Sequence, residues 1–438
     1  PRNVIFILSD DHRWDAMGYV GHPFIRTPRL DALARGGVHF ANAFVTTSLC
    51  APSRASILTG LYARHHGVTG NNRALPARNV VFPQYLQQAG YETAFIGKWH
   101  MGHGDAPQPG FDHWVGFRGQ GHYFPAKGRT LNVDGKRVPQ KRYITDELTD
   151  YAVAWLEGRT HDKPFLLYLS HKGVHGLYDP APRHRDRYKN VRLELPKTMA
   201  DTPQNYQGKP AWVKRQRNTT HGVDNAYLGR GGTIPEMVKH YGEMILSIDE
   251  SVGRIMDWLD EKGLAERTLV IYMGDNGHLW GEHGLIDKRC AYEESIRVPL
   301  VAHCPAVFRP GTVVDALVAN VDIAPTILEA AGLRAPQSLD GRSFLGLAAG
   351  RIDSKPWRRQ ILYEYYKQGS YVTPTTFAVR GPRYKLIRYA GVSETDELYD
   401  LQTDPQETVN LIADPQHAEA LRQLQPAIKR WIEQSRAP

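Results

Sequence analysis

Along the first half of the chain, short unbroken apolar runs alternate with stretches in which apolar residues recur every three or four positions. Val4-Ile5-Phe6-Ile7-Leu8 is one such run, the pattern of a strand covered on both faces. Thr93 to Ile96, Phe165 to Leu169 and Leu269 to Met273 repeat it. Helices fit residues 28–35, 83–89, 145–157 and 236–262. In the last, Met244, Ile245, Ile248, Val252, Ile255, Met256 and Leu259 fall on one helical face. This alternation predicts βα units and an α/β fold around a large, mostly parallel sheet.

The pattern changes twice. Residues 176–235, rich in Arg, Pro, Gly, Asn and Thr, read as a long surface excursion, and such loops are often functional. Beyond about residue 335, short strands are expected at Ile361 to Tyr365, Phe377 to Arg380, Tyr384 to Tyr389 and Glu397 to Leu401. A terminal helix at 416–434 follows. A length of 438 residues exceeds the usual ceiling for one hydrophobic core. The expected division is therefore a large domain over 1–335 and a small α+β subdomain over 336–438, a four-stranded antiparallel sheet with a helix packed on it.

Composition adds limits. With 41% hydrophobic and 23% charged residues, an ordered globular chain is the default. No stretch approaches the ~20 apolar residues of a membrane span, so the chain is expected to be soluble or peripherally attached. A net charge of +8 favours polyanionic partners. No basic arm or nucleic-acid motif accompanies it, so nucleic acid is not an expected partner. The three cysteines, Cys50, Cys290 and Cys304, exclude a dense disulfide framework. Cys290 and Cys304 are expected to be reduced packing residues. Oligomeric state is not specified by the sequence.

Four predicted strands end in residues suited to metal and anion chemistry. One ends at Asp10-Asp11 and another at Asp275-Asn276, while two more run into Lys98 and His100 and into His171 and His175. Ligands bind beyond the carboxyl ends of strands in open α/β sheets. A single such ending is commonly a helix cap, which four together do not resemble. Asp10, Asp11, Asp275 and Asn276 offer only oxygen ligands, the set that Ca2+ or Mg2+ prefers. Cys50 lies just before Pro52, and Ser53 to Leu61 suits a helix, so Cys50 would meet free N–H donors at a helix start. An isolated cysteine is usually a small buried hydrophobe. This one stands in a polar, Arg-containing turn.

The segment Ser48-Leu49-Cys50-Ala51-Pro52-Ser53-Arg54-Ala55-Ser56-Ile57-Leu58-Thr59-Gly60 resembles the signature of the type I, formylglycine-dependent sulfatases. Gly97-Lys98-Trp99-His100 resembles the second family signature. Asp275-Asn276-Gly277, Gly281-Glu282-His283-Gly284 and Asp287-Lys288-Arg289 resemble later ones, as do Leu398-Tyr399-Asp400-Leu401, Asp404-Pro405 and Asn410-Leu411. The likeness is strongest to bacterial exo-acting glycan sulfatases, including relatives of N-acetylglucosamine-6-sulfatase. The resemblance implies an alkaline-phosphatase-like sandwich and hydrolysis of the sulfate esters of a sulfated carbohydrate, a glycosaminoglycan or algal polysaccharide fragment. It also implies a separate maturing enzyme that oxidises Cys50 to formylglycine. The expected compartment is periplasmic or secreted, with a signal peptide removed ahead of Pro1.

In the family mechanism, one hydroxyl of the hydrated aldehyde at position 50, bound to Ca2+ (or Mg2+), attacks sulfur. The resemblance assigns the ion to Asp10, Asp11, Asp275, Asn276 and position 50, and orientation of the diol to Arg54. Lys98 and Lys288 would hold the sulfate oxygens. His175 would protonate the departing sugar oxygen, alone or with Lys288, and His100 would deprotonate the second hydroxyl to expel sulfate. Ser170-His171-Lys172-Gly173-Val174-His175 departs from the commoner Pro-His ending, so His171 remains the alternative to His175, as general acid or as a substrate residue. Among the residues sequence-adjacent to the site, His278 and His283 are open between structure and function. His103, His122, Tyr123, Arg183 and Arg289 are the other substrate-binding candidates, in a pocket expected from the 103–125 loop, the 176–235 excursion and the C-terminal domain. Two further readings stay open: a phosphodiester or phosphonate monoester hydrolase of the same superfamily, and a non-catalytic glycan-binding homologue.

Overall fold

The computed structural model describes residues 1–159, 162–226, 228, 232–353 and 357–435. Residues 227 and 229–231 of the excursion lie outside that set, as do 354–356 and 436–438 of the C-terminal segment. Four parallel strands form the centre: β1 (Asn3–Ser9), β2 (Glu92–Gly97), β3 (Phe165–Ser170) and β4 (Thr268–Gly274), in the order β4-β1-β3-β2. Leu300–His303, Val38–Phe40 and Thr312–Val314 extend the sheet beyond β4. His113–Gly116, Thr130–Val133 and Lys136–Pro139 extend it beyond β2, giving ten strands. The additions mix parallel and antiparallel pairings.

The apolar runs are continuous because both faces are covered. Val4, Phe6 and Leu8 of β1 pack with Tyr168 and Ile271 on one face, beneath a helix, α1 (Cys50–Thr59). Ile5 and Ile7 pack with Leu167 and Tyr272 on the other, beneath α2 (Ile234–Glu261) and the helix Ile144–Gly158. The helix expected at Ser53 to Leu61 starts earlier, so Cys50 stands inside its first turn. Pro52 is tolerated there because the first turn has no intrahelical use for its N–H. Gly60 ends the helix in the left-handed region, φ 71°, donating its N–H to Ser56 O at 2.8 Å.

The four-stranded sheet of Ile361–Tyr365, Thr375–Arg380, Tyr384–Ala390 and Glu397–Asp400 is antiparallel in sequence order. Ile428 and Trp431 of the helix Ala418–Gln434 cover Phe377, Val379 and Leu398 on one face. The other face buries Tyr363, Tyr365 and Tyr399 against the large domain. Buried ions join the two parts: Lys385 Nζ lies 3.0 Å from Glu293 and 2.6 Å from Glu407. The 176–235 stretch is not a surface excursion throughout. Trp212 and Val213 of the helix Ala211–Gln216 are buried between the two parts, and Lys209 Nζ donates to Tyr399 OH at 2.8 Å. Its polar composition hid these few anchors. Among the described residues no helix is long and apolar enough to cross a membrane.

Candidate active site

The carboxyl ends of the four central strands meet the first turn of α1. Cys50 is fully buried, with Sγ 3.4 Å from Asp10 Oδ1 and 4.0 Å from Lys98 Nζ. Asp10, Asp11 and Cys50 bring one donor atom each within 4.8 Å of one another. Asp275 Oδ1 accepts from the Asp11 N–H at 2.9 Å, and Asn276 Nδ2 donates to Asp11 Oδ1 at 2.6 Å. Arg54 lies behind the cysteine on the same helix. Its Nε and Nη2 each reach Asp275 Oδ2 at 2.9 Å, and its Nη1 donates to Lys98 O and to Ser170 Oγ at 2.6 and 2.7 Å. The guanidinium thus ties α1 to β2, β3 and β4 together.

Lys98 and Lys288 approach from opposite sides. Lys98 pairs with Asp10 and donates to Gln120 Oε1 at 2.5 Å. Lys288 lies 2.5 Å from Asp11 and 3.2 Å from Asp287. Gly97 makes the approach of Lys98 possible: at φ 128°, a Cβ there would lie 1.8 Å from Ser170 O. His175 Nε2 stands 3.9 Å from Asp11 Oδ2, and its Nδ1 is 2.6 Å from Gly176 O. That bond requires Nδ1 to carry a proton and leaves Nε2 facing the cluster. His100 has a buried Nδ1 with no hydrogen-bond partner among the described residues. Asp11, His100, Asp287 and Arg289 all hold positive φ, of 54° to 81°, a strained conformation that is often found clustered at active sites.

The crowding of charge shifts protonation. Burial holds the Cys50 thiol far above its usual range, with Asp10 adding to the effect, so the unmodified thiol stays protonated and unreactive. Burial raises Asp11 to about 7 and Asp275 to about 6. Asp10 falls well below its usual value: burial opposes this, and Lys98, His175 and Arg54 prevail. Burial and then Lys98 push His100 down to about 2, which keeps it neutral. Burial and then Lys98 also lower Lys172 to about 7.

A divalent cation fits this donor set. Among the described residues the buried Asn276 Oδ1 accepts no hydrogen bond, and beside it lie three buried carboxylates, of which two are raised by burial first and by neighbouring carboxylates after it. All the candidate side-chain donors except position 50 are oxygens, which suits a hard ion.

Other expected site residues divide. Arg289 lines a cavity of about 340 Å³ with Asp11, His175, Lys288, His221 and Tyr371, and its guanidinium lies 4.3 Å from the Tyr371 ring centroid. His122 and Tyr123 line a neighbouring cavity, while His103 stands exposed on the loop beyond Met101. His171 is not in the cluster. Its N–H continues the strand pairing to Leu8 O, its ring turns to the face covered by α2, and its Nε2 lies 3.0 Å from Ser251 Oγ. Arg183 is also elsewhere, held by Asp146 at 2.7 Å and by Glu250 on the surface. His278 is tied to Tyr178 OH at 2.8 Å, and His283 stacks on Tyr292 at 4.1 Å under the C-terminal sheet. Cys290 and Cys304 are free, buried thiols. Gln120, Lys172, His221 and Tyr371 enter the clefts without having been singled out. Only Lys172 carried a signal, its place between His171 and His175.

Comparison with known proteins identifies the family and the fold. The sulfatase family model matches residues 2–333, and a model of the N-sulphoglucosamine sulphohydrolase C-terminal region matches residues 281–434. An N-acetylglucosamine-6-O-sulfatase of Bacteroides thetaiotaomicron is 31% identical, over 96% of this chain and 84% of that protein. The N-acetylglucosamine-6-sulfatase of Capra hircus is 30% identical, over 94% and 78%. A solved structure in complex with its substrate D-glucosamine-2-N,6-O-disulfate superposes with a TM-score of 0.90 at 29% identity, covering 99% of this chain and 98% of that one. The phosphonate monoester hydrolase of Agrobacterium radiobacter shares the fold, at TM-score 0.75 and 22% identity. By the family match across 2–333 and the relatives that span nearly its whole length, this chain belongs to the sulfatase family of sulfuric ester hydrolases.

Proposed function

We infer that this protein removes sulfate from the non-reducing end of a sulfated carbohydrate, using residue 50 as formylglycine and a calcium ion held by Asp10, Asp11, Asp275 and Asn276. One observation carries the reading: Cys50 is sealed into a helix start among buried carboxylates and two lysines. Its thiol is too basic to act as the nucleophile. The sugar reading is supported by the N-acetylglucosamine-6-sulfatases and by the substrate of the superposed complex. A periplasmic or secreted location fits such a substrate.

The bound cation would supply Lewis-acid charge where the sulfate ester meets residue 50. Lys98 and Lys288 flank the same point and hold the negative charge on the sulfuryl oxygens. Arg54 positions the nucleophile by fixing α1 against Asp275 and Ser170. His175, with Nε2 turned towards Asp11, gives a proton to the leaving sugar oxygen. An arriving sulfate offsets Lys98 and Lys288, the two cations that most depress His175 after burial. His100, kept neutral, takes the proton released when sulfate is expelled. The cavity lined by Arg289, His221 and Tyr371 receives the sugar.

The test is co-expression with a maturing enzyme, followed by mass spectrometry of the peptide containing Cys50 and a screen of defined sulfated sugars. An aldehyde at position 50 is expected, with turnover that a calcium chelator abolishes and added calcium restores. Full turnover by the unmodified thiol, or in the presence of chelator, would overturn the reading.

A further inference from the structure

Next to the cleft lined by Asp11, His175 and Lys288 lies a second cavity, of about 450 Å³. Gln120 and His175 line both cavities. Because Gln120 also accepts from Lys98, the second cavity begins one side chain from the sulfate-holding lysine. A sugar whose ester lies over residue 50 would therefore carry a neighbouring substituent into it.

Its lining is cationic. Lys172 is 3% exposed and contributes to the cavity wall. Among the described residues no carboxylate lies within ion-pair distance of its ammonium. Its ammonium lies over the Tyr123 ring, 4.4 Å from Nζ to the centroid. Tyr123 is itself fixed, with its hydroxyl donating to His175 O. Arg129 faces the same space, held by a 2.6 Å bond from Nη1 to Phe124 O and by no carboxylate among the described residues. His122 completes the group; partial burial first, then Arg129 and Lys172, lower its pKa, so it enters as a neutral imidazole that an arriving anion would help to protonate. The acidic residue at the rim, Asp179, is paired with Arg185 at 3.0 Å.

A buried ammonium is ordinarily paired, because an isolated charge is costly to remove from water. The other buried lysines obey this rule: Lys98, Lys209, Lys288 and Lys385 each have carboxylate partners within 4 Å. Lys172 does not. We propose that the cavity walled by Lys172, Arg129 and His122 is a second anion subsite, which binds a further negatively charged substituent of the substrate beside the ester being cleaved. The enzyme then selects sugars bearing two anionic groups over sugars bearing one. This rests on the sulfated-carbohydrate reading above.

The test compares kcat/KM of the matured, calcium-loaded enzyme on four substrates. They are 4-nitrophenyl sulfate, N-acetylglucosamine-6-sulfate, glucosamine-2-N,6-O-disulfate, and a disaccharide that places a uronic acid next to the 6-sulfated sugar. The wild type is expected to favour at least one doubly charged sugar over the singly charged one by about tenfold to a hundredfold, the range of a charge-assisted contact. The two charged arms tell a sulfate from a carboxylate. Lys172→Met, which removes an unpaired buried charge without creating a cavity, is expected to bring that preference close to one, mainly through KM. It should leave the aryl sulfate and the singly charged sugar nearly unchanged. Arg129→Gln is expected to reduce the preference in part. Equal losses on all four substrates would instead place Lys172 on the scissile sulfate and overturn the proposal. So would the absence of any preference in the wild type. Turnover of the aryl sulfate with none of the sugars would defeat the carbohydrate reading and the subsite with it.

Discussion

Replacing Lys288 by Met tests how much of the catalysis resides in one ammonium. Lys288 is buried, 2.5 Å from Asp11 Oδ1 and 3.2 Å from Asp287 Oδ1, and lines the cleft shared with Asp11 and His175. A sulfuryl oxygen held at about 3 Å would interact with a unit charge by roughly 5 kcal/mol at an effective dielectric of about 20. Only the charge that builds up between ground and transition state accelerates the reaction. About half of that figure, close to the ~2.7–4 kcal/mol of one oxyanion donor, gives a loss of roughly 10²–10³ in kcat. KM should rise much less. The same substitution leaves Asp11 and Asp287 without their shared cation, a disruption of the kind that costs about 3–5 kcal/mol of stability when nothing else offsets it. The assay therefore pairs initial rates on 4-nitrophenyl sulfate with a urea unfolding midpoint in saturating calcium. Lys288→Arg should recover only part of the rate, since a planar fork does not replace a point donor. A Lys288→Met enzyme that stays folded and keeps kcat within about threefold of the wild type would refute the argument, because such a loss is under 1 kcal/mol.

Two further outcomes are expected away from the nucleophile. Lys385→Met should lower stability by about 3 kcal/mol, because Glu407 would lose its cation while Glu293 keeps only Arg380, at 3.1 Å; denaturant titration reads this, and an unchanged midpoint would contradict it. His65 is half-exposed and raised above its ordinary pKa, first by its 2.7 Å bond to Asp340. A raised histidine stabilises the fold below its unfolded pKa and loses that contribution as pH climbs through the folded value. His65→Gln should therefore cost no more than about 1 kcal/mol near pH 5.5 and almost nothing at pH 8, and a cost that grows with pH would reverse the sign.

The central strands were legible because burial on both faces leaves an unbroken apolar run, as in Val4 to Leu8 and Leu269 to Met273. The charged residues after those strands were legible as a site because a parallel sheet delivers its carboxyl ends to one edge. What composition could not convey was direction within a segment. His171 and His175 stand four residues apart, yet the strand pairing of His171 with Leu8 sends its ring to Ser251, and the chain then turns His175 to Asp11. Nor could local pattern show which distant segments close the clefts. Gln120, His221 and Tyr371 lie in loops without periodicity, and they meet only because the whole sheet and the C-terminal subdomain assemble. Trp212 was hidden likewise, as one aromatic anchor in a polar stretch.

The packing of α1 also sets a schedule. Thr46 hydrogen-bonds Asn320 and accepts from the Glu364 N–H, Ser48 lies 2.7 Å from Tyr363 OH, and Ser53 is held by Asn320. The residues that bury the nucleophile's segment thus arrive about 300 positions after it. At roughly 5–20 residues per second of synthesis, the stretch around Cys50 stays uncovered on a growing chain for some tens of seconds, and is shut away once Glu364 takes its place. An enzyme that modified Cys50 would meet it uncovered in that interval and fully buried afterwards.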